Sequence, residues 1–199
     1  CHNPELVLPD LIRQHPEIDI YKILDFLKEN LLLDAVTITG GEPTLYPDLI
    51  EFLKLIKDIP LKVKLDTNGT NPDLLKTLID NSLVDYIAMD IKSPLTLEKY
   101  KKITGINFEE TMLKKITKSI NHIIEGGIDY EFRTTLNHML NENDIIDIID
   151  SIKGKYFIQY LNIKNKVLNN NITKEIKIDI SKILSYAMSK NDVTVYIRN

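Results

Sequence analysis

Strand-like and helix-like apolar patterns alternate along this chain, and the alternation restricts the fold more than any other feature of the sequence. Strands are predicted at 35–39, 61–65, 84–89, 128–136, 156–161 and 193–197. Helices are predicted at 18–32, 46–57, 71–81, 96–100, 108–125, 143–152 and 172–189, whereas 2–14 is predicted to be irregular. Short connections between alternating strands and helices favour an α/β fold, in which helices cover a parallel sheet. Right-handed crossovers would wind it into a full or partial barrel, or into an open doubly wound sheet.

Length and composition fit one domain spanning residues 1–199. No linker, low-complexity tract or charge block divides the 199 residues, of which 43% are hydrophobic and 27% charged. The net charge of -4 gives no basic footprint for nucleic acid. No apolar run approaches the roughly 20 residues that span a membrane, and no signal peptide is visible. A single cysteine excludes an internal disulfide and fits a reducing compartment, so we expect a cytoplasmic protein.

Polar residues recur where the first four predicted strands end. They are Gly40, Gly41 and Glu42 after the first strand, Asp66, Thr67 and Asn68 after the second, Asp90 and Lys92 after the third, and Arg133 within the fourth. Because the carboxyl ends of parallel strands meet on one side of a barrel-like fold, we expect these residues to form one ligand site. Each also has a structural interpretation. Asp66 and Asn68 suit a turn before Gly69, Lys92 could be solvated, and Arg133 could pair with Glu131 or another surface carboxylate.

The Gly40–Pro43 stretch is the most distinctive of these strand ends. Its two glycines allow a close backbone approach or positive φ values, and Pro43 stiffens the exit from the strand. Glu42 adds a carboxylate, which favours a small cationic ligand. The alternative is a strand-to-helix turn in which Glu42 begins the helix.

Four segments, CHNPEL, GGEPTL, LDTNG and YIAMDIKSP, occur in an order and spacing that resembles the radical S-adenosylmethionine (radical SAM) enzymes. The chain is most similar to the branch that activates glycyl-radical enzymes, in particular anaerobic ribonucleoside-triphosphate reductases. The resemblance implies a partial (β/α)6 barrel of the TIM-like type, with a [4Fe-4S] cluster and SAM as cofactors. It implies reductive cleavage of SAM to a 5′-deoxyadenosyl radical, which takes hydrogen from a glycine of a partner reductase. A flavodoxin or ferredoxin is the expected electron donor.

The resemblance also predicts that the cluster loop is incomplete in this chain. The family signature is Cys-x-x-x-Cys-x-x-Cys, and Cys1 matches only its last cysteine. The first strand of the family barrel and most of the cluster loop would then lie upstream of residue 1. One thiolate does not hold a cluster that is normally bound by several. We therefore expect an active parent protein and an inactive 199-residue chain; the alternative for Cys1 is a terminal thiol without a role.

The resemblance assigns cofactor contacts to the polar residues, although it identifies no catalytic residue with certainty. Gly40, Gly41 and Glu42 would meet the methionine ammonium, Lys92 and Arg133 would neutralise carboxylate charge, Asn68 would bond a ribose hydroxyl, and His2 would pack near adenine through its backbone. Asp66, Thr67 and Asp90 would surround a monovalent cation beside the SAM carboxylate. Neighbouring carboxylates repel each other without a cation between them, so these residue types suit such a site.

Two alternatives stay open at this point. The parent could be another radical SAM enzyme, such as a pyruvate formate-lyase activase or a small-molecule synthase. The chain could also be an inactive truncated barrel that binds SAM weakly or serves as an interaction module. A partner with a C-terminal glycyl-radical loop would distinguish the activase from the synthase. A Cys-x-x-x-Cys-x-x segment directly before residue 1 would exclude the truncated barrel.

Overall fold

Six parallel strands form one sheet in the computed structural model, which describes residues 4–161 and 178–198. The strands are β1 (Ala35–Ile38), β2 (Lys62–Thr67), β3 (Tyr86–Asp90), β4 (Asp129–Thr135), β5 (Gly154–Gln159) and β6 (Val193–Arg198). They are hydrogen-bonded in sequence order from β1 to β6. A doubly wound sheet would reverse its strand order at a switch point, whereas a barrel wall does not. The predicted α/β class is confirmed, the architecture is consistent with a partial TIM-like barrel, and the doubly wound alternative is wrong.

Eight α-helices lie within the described ranges. They are α1 (Pro9–Ile12), α2 (Ile20–Glu29), α3 (Leu49–Lys57), α4 (Pro72–Asp80), α5 (Leu97–Thr104), α6 (Glu110–Glu125), α7 (Glu142–Asp150) and α8 (Ile180–Met188), with 3-10 helices at Pro4–Leu6 and Pro43–Leu45. In residues 4–161 and 178–198, no helix is long and apolar enough to cross a membrane.

Several predicted element boundaries are wrong; the helix predicted at 96–100, for example, continues to Thr104, and three of the others have clear local reasons. The segment 2–14, predicted as irregular, contains a 3-10 helix and α1, which has Pro9 in its first turn. The helix predicted from residue 46 begins at Leu49, because Tyr46 is extended after the 3-10 turn. The last helix begins at Ile180, where the Asp179 side chain accepts bonds from two backbone N–H groups. Residues 172–177 of that prediction lie outside the described residues.

The two faces of the sheet differ sharply in polarity, as alternation along each strand requires. One face packs against the helices and carries fully buried apolar side chains, namely Leu65, Ile87, Met89, Phe132, Tyr156 and Ile158. The strand register places charged and aromatic residues on the other face, here called the polar face: Lys64, Asp66, Tyr86, Asp90, Glu131, Arg133, Lys155, Phe157, Tyr196 and Arg198. The buried core therefore fixes the sheet from the helix side and leaves the polar face available for ligands.

Candidate functional site

Glu42 ties the end of β1 to the end of β2. Its carboxylate is only 7% exposed and accepts four hydrogen bonds. Oε1 accepts from the backbone N–H of Thr44 at 3.2 Å, the Thr44 hydroxyl at 2.6 Å and the Thr67 hydroxyl at 2.8 Å. Oε2 accepts from the backbone N–H of Asn68 at 2.6 Å. A carboxylate offers about four acceptor sites, so any ligand contact falls to the less crowded Oε2.

The same geometry confirms the structural interpretation of this turn. Glu42 is the N-cap of the 3-10 helix Pro43–Leu45, since its side chain accepts from Thr44 N. A ligand role for Glu42 would therefore be added to a structural one.

Gly41 brings the loop after β1 against the first described turn of the chain. A Cβ atom at Gly41 would lie 2.7 Å from the carbonyl oxygen of Leu6, closer than any side chain tolerates. The glycine thus permits the end of the 3-10 helix Pro4–Leu6 to pack directly on the Gly41 backbone. Cys1 and His2, the predicted cluster ligand and adenine contact, lie outside the described residues.

Arg133 joins the carboxylates at the ends of β2 and β3. Its Nε donates to Asp90 Oδ1 at 2.9 Å, and its Nη1 lies 3.3 Å from Asp66 Oδ2. Lys92 closes the group by donating from Nζ to Asp90 Oδ2 at 2.6 Å. The Arg133 side chain is 13% exposed, so its ion pairs with Asp66 and Asp90 are only weakly screened by water. Arg133 does not pair with Glu131, and that structural alternative is wrong.

The surrounding charges keep Asp90 and Arg133 ionised. Burial acts to raise the pKa of Asp90, but the charges of Lys92 and Arg133 outweigh it and hold that pKa below its ordinary value. Burial acts to lower the pKa of Arg133, and the two carboxylates outweigh that effect and raise it. The Arg133–Asp90 contact is therefore an ion pair at neutral pH.

These ion pairs remove the reason for predicting a monovalent cation, which was the repulsion between neighbouring carboxylates. The like charges of Asp66 and Asp90 are already compensated by Arg133. The Thr67 side chain is not part of the group, because alternate strand residues face opposite ways and its hydroxyl donates to Glu42. Within residues 4–161 and 178–198, no three His, Cys, Asp or Glu residues are grouped so as to hold a metal ion. The cation stays a prediction.

Asp66 retains acceptor capacity inside this site. Its Oδ1 atom is buried and has no hydrogen-bond partner, although Lys64 Nζ lies 3.1 Å away in a geometry that does not make a hydrogen bond. Lys64 already compensates the charge of this oxygen, so a well-aligned ligand donor would complete its hydrogen bonding.

Asn68 has the turn role that its sequence context indicates. Its Oδ1 accepts from the backbone N–H of Thr70 at 3.0 Å and from the Thr70 hydroxyl at 2.7 Å. Gly69 follows with φ of 75°, and a side chain there would strike Met89. The Asn68 carbonyl oxygen therefore shapes the turn, and its amide nitrogen is the atom left for a ligand.

The structure brings most of the predicted residues into two adjoining groups. Glu42, Thr67 and Asn68 share direct hydrogen bonds, and Asp66, Asp90, Lys92 and Arg133 share ion pairs.

The sequence reasoning missed Lys64 and did not place Tyr86 and Glu131 beside the site, although all three lie on the polar face. Glu131 is two residues from Arg133, and Lys64 is two residues from Asp66. Every second residue of a strand faces the same side of the sheet. Stepping back two residues at a time from Asp66, Asp90 and Arg133 would therefore have identified all three.

Comparisons with known proteins show what the chain as a whole is similar to. The family model of the radical SAM superfamily matches residues 1–152. A Methanocaldococcus jannaschii protein named as a glycyl-radical enzyme activating enzyme is 36% identical over 156 residues, covering 77% of this chain and 62% of that protein. A GTP 3′,8-cyclase of Clostridium perfringens is 29% identical over 147 residues, covering 71% of this chain and 43% of the cyclase. The chain thus spans about three fifths of the length of the activating-enzyme relative.

Solved structures show the same fold. Streptococcus suis SuiB bound to S-adenosylmethionine superimposes with a TM-score of 0.67 at 14% sequence identity, covering 93% of this chain and 45% of SuiB. At that identity the likeness concerns the fold alone.

Proposed function

This chain belongs to the radical SAM superfamily, and we propose that it is the SAM-binding barrel of an enzyme that activates a glycyl-radical protein, most specifically an anaerobic ribonucleoside-triphosphate reductase. The observation that carries the proposal is the convergence of Glu42, Asp66, Asp90, Lys92 and Arg133 at the ends of consecutive strands. The similarity to an activating enzyme of Methanocaldococcus jannaschii supports the branch.

The donor and acceptor set of the site fits SAM, which carries an ammonium group, a carboxylate and a ribose. The exposed Gly40–Gly41 backbone and Oε2 of Glu42 would bind the ammonium group, with the orphaned Oδ1 of Asp66 as a further acceptor. Lys92 and Arg133 would bind the carboxylate, since both cations sit at the strand ends. The amide nitrogen of Asn68 would bond a ribose hydroxyl.

The paired charges make this site rigid before SAM arrives. Because Arg133 is already aligned by Asp66 and Asp90, little of its side-chain entropy remains to be lost on binding. We retain the monovalent cation as a proposal for the SAM-bound state, in which an added carboxylate changes the charge balance around Asp90.

When bound, the [4Fe-4S] cluster would supply the electron that splits SAM into methionine and a 5′-deoxyadenosyl radical, which takes the hydrogen atom from the glycine of the partner. Cys1 would be one cluster ligand, with the others upstream, and flavodoxin or ferredoxin would donate the electron. His2 would pack near adenine. The residues of this chain would orient SAM and hold its methionine end in fixed hydrogen bonds.

Electron paramagnetic resonance tests the proposed function. The chain, extended upstream by a Cys-x-x-x-Cys-x-x segment and reconstituted without oxygen, is mixed with SAM, a reductant and an anaerobic ribonucleotide reductase. We expect a doublet-like glycyl-radical signal on the reductase. SAM cleavage without that signal, stimulated instead by a small molecule, would contradict the activase proposal.

A small-molecule radical SAM enzyme is the second candidate. The similarity to a GTP 3′,8-cyclase of Clostridium perfringens favours it, at lower identity than the activating-enzyme relative. In the same experiment, GTP consumption with formation of a cyclised product would replace the activase by this candidate.

A further inference from the structure

We propose that Arg198 recognises an oxyanion of the substrate, a carboxylate or a phosphate, in a subsite on the polar face beside the SAM site. The inference rests on the proposed function in one respect, namely that the substrate must reach the polar face. No role in SAM binding is assigned to Arg198, Phe157, Tyr196 or Glu131.

The strand register connects this subsite to the SAM site. Asp90 pairs with Arg133, Arg133 with Phe157, and Phe157 with Tyr196, so one row of neighbours crosses β3 to β6. Arg198 lies two residues beyond Tyr196 on the same face of β6. Strands lie about 4.8 Å apart, so the β6 backbone is roughly 10 Å from β4, but the Arg198 side chain reaches back to Glu131 on β4, two residues before Arg133. The subsite therefore adjoins the SAM site along β4.

The Arg198 guanidinium is held in place by an aromatic platform. Its central carbon lies 4.0 Å from the centre of the Phe157 ring. Phe157 is stacked on Tyr196, with ring centres 4.8 Å apart and planes inclined by 16°. A guanidinium stacked on an aromatic ring keeps its hydrogen-bond donors free around its edge. The platform therefore orients Arg198 without consuming its donors.

The ion pair of Arg198 is incomplete. Its Nη1 lies 3.5 Å from Oε1 of Glu131, whereas a charge-assisted hydrogen bond is about 2.8 Å long. Oε2 of Glu131 accepts from the Tyr86 hydroxyl at 3.0 Å, which fixes the carboxylate from its other side. A guanidinium has five N–H donors, and this contact engages one within the described part of the chain. The Arg198 side chain is also 42% exposed, so a ligand can reach it.

Further cations surround the subsite. Lys155 and Lys64 place their ammonium groups 5.8 Å and 6.0 Å from the centre of the Tyr86 ring. Lys64 lies beside Asp66, but Lys155 is exposed and adjoins Glu131 in the register. The same part of the polar face also carries three carboxylates, namely Glu131, Asp66 and Asp129, so its charges balance. The unengaged donors of Arg198, rather than a net positive charge, would bind an anion.

The oxyanion can come from two sources. An acidic side chain near the target glycine would supply a carboxylate, as the activase proposal requires. A phosphorylated small molecule would supply a phosphate. Both match the fork of an arginine, which binds two oxygens of one planar or tetrahedral group.

Isothermal titration calorimetry on the full chain tests the subsite and separates the sources. One probe is the capped peptide acetyl-Ala-Asp-Gly-Asp-Ala-amide, with its Asn-Gly-Asn counterpart as a neutral control. The other probe is inorganic tripolyphosphate. Arg198→Met removes the positive charge and the forked guanidinium donors. Arg198→Lys keeps the charge and serves as a second variant in case Arg198→Met folds poorly. Lys153→Met is the matched control, because it removes one exposed cation at the amino end of β5.

We expect at least one oxyanion probe to bind, with affinity reduced about tenfold or more in Arg198→Met, less in Arg198→Lys, and not in Lys153→Met. Arg198-dependent binding of the acidic peptide supports the subsite and the activase together. Arg198-dependent binding of tripolyphosphate alone supports the subsite and counts against the activase. If neither probe depends on Arg198, or if Lys153→Met has an equal effect, the subsite is wrong. The glycyl-radical measurement does not depend on this result.

Discussion

At the scale of single residues, Glu42 shows how a site residue can also hold the fold together. Glu42→Gln replaces one acceptor oxygen by an NH₂ group, which then faces backbone or hydroxyl donors that it cannot satisfy. We expect unfolding free energy to fall by roughly 1–3 kcal/mol, measured by urea denaturation. Glu51→Gln, at an exposed position of α3, is the control and should change stability by under about 0.5 kcal/mol. Equal effects of the two substitutions would contradict the buried role of Glu42.

Asp90 provides a residue-scale prediction about pH. Its pKa is lower in the folded state than in the unfolded chain, so the unfolded chain binds more protons between the two values. The stabilisation is complete above the unfolded pKa of about 4 and is lost as pH falls through the lower folded value. The stability gap between wild type and Asp90→Asn should therefore be widest near neutral pH and shrink in acid. Urea denaturation at a series of pH values measures it, and a gap independent of pH would refute the ion-pair account.

The sequence predicts which residues form the site, but not which of their side chains pair with each other. The polar types at successive strand ends are visible in the sequence, and seven of them meet in the structure. The sequence does not show whether Arg133 pairs with Asp66 and Asp90 or with Glu131, because that choice depends on register across strands. Register is set by backbone pairing that spans dozens of residues, and no local pattern encodes it.

At the scale of elements, strands were easier to predict than the segments between them. Buried apolar runs such as β2 and β3 were located to within about two residues, an ordinary boundary error. The short α1 was missed, because Pro4, Pro9 and Pro16 are spaced through this segment as in a loop. The start of α8 was missed because apolar spacing continues upstream of its Asp179 cap.

The packing of the Gly41 backbone on the 3-10 helix Pro4–Leu6 gives an element-scale prediction. Gly41→Ala would force its Cβ against the Leu6 carbonyl and push that helix away from the β1 loop. We expect a stability loss of about 1–3 kcal/mol and faster hydrogen exchange in α1. Thr39→Ala, an exposed change nearby, should leave exchange in α1 unchanged. Unaltered exchange in Gly41→Ala would show that the contact does not hold the segment.

At the scale of the whole molecule, the two faces of the sheet have different roles. The helix-facing side supplies the buried core, and the polar face gathers charge at the strand ends. This separation could be predicted in outline from alternating patterns. The charge balance at the ends of β2, β3 and β4 could not, because it arises only when these strands pair in register.

The [4Fe-4S] cluster gives a prediction at the scale of the whole molecule. Iron and sulfide added to the 199-residue chain should give no stable four-iron absorption, because Cys1 is its single cysteine. The same chain extended upstream by a Cys-x-x-x-Cys-x-x segment should give it. A stoichiometric cluster in the 199-residue chain would overturn the proposed ligand set.

The dependence of SAM cleavage on SAM concentration tests directly whether the charged strand ends bind SAM. The rate of 5′-deoxyadenosine formation is followed against SAM concentration in the extended, reconstituted protein, for wild type, Lys92→Met and Lys153→Met. Lys92 is 42% exposed and Asp90 keeps its bond to Arg133, so the fold should survive the first substitution. We predict that Lys92→Met raises KM for SAM about tenfold, whereas Lys153→Met behaves as wild type. An unchanged KM in Lys92→Met, or an equal rise in both variants, would contradict the claim.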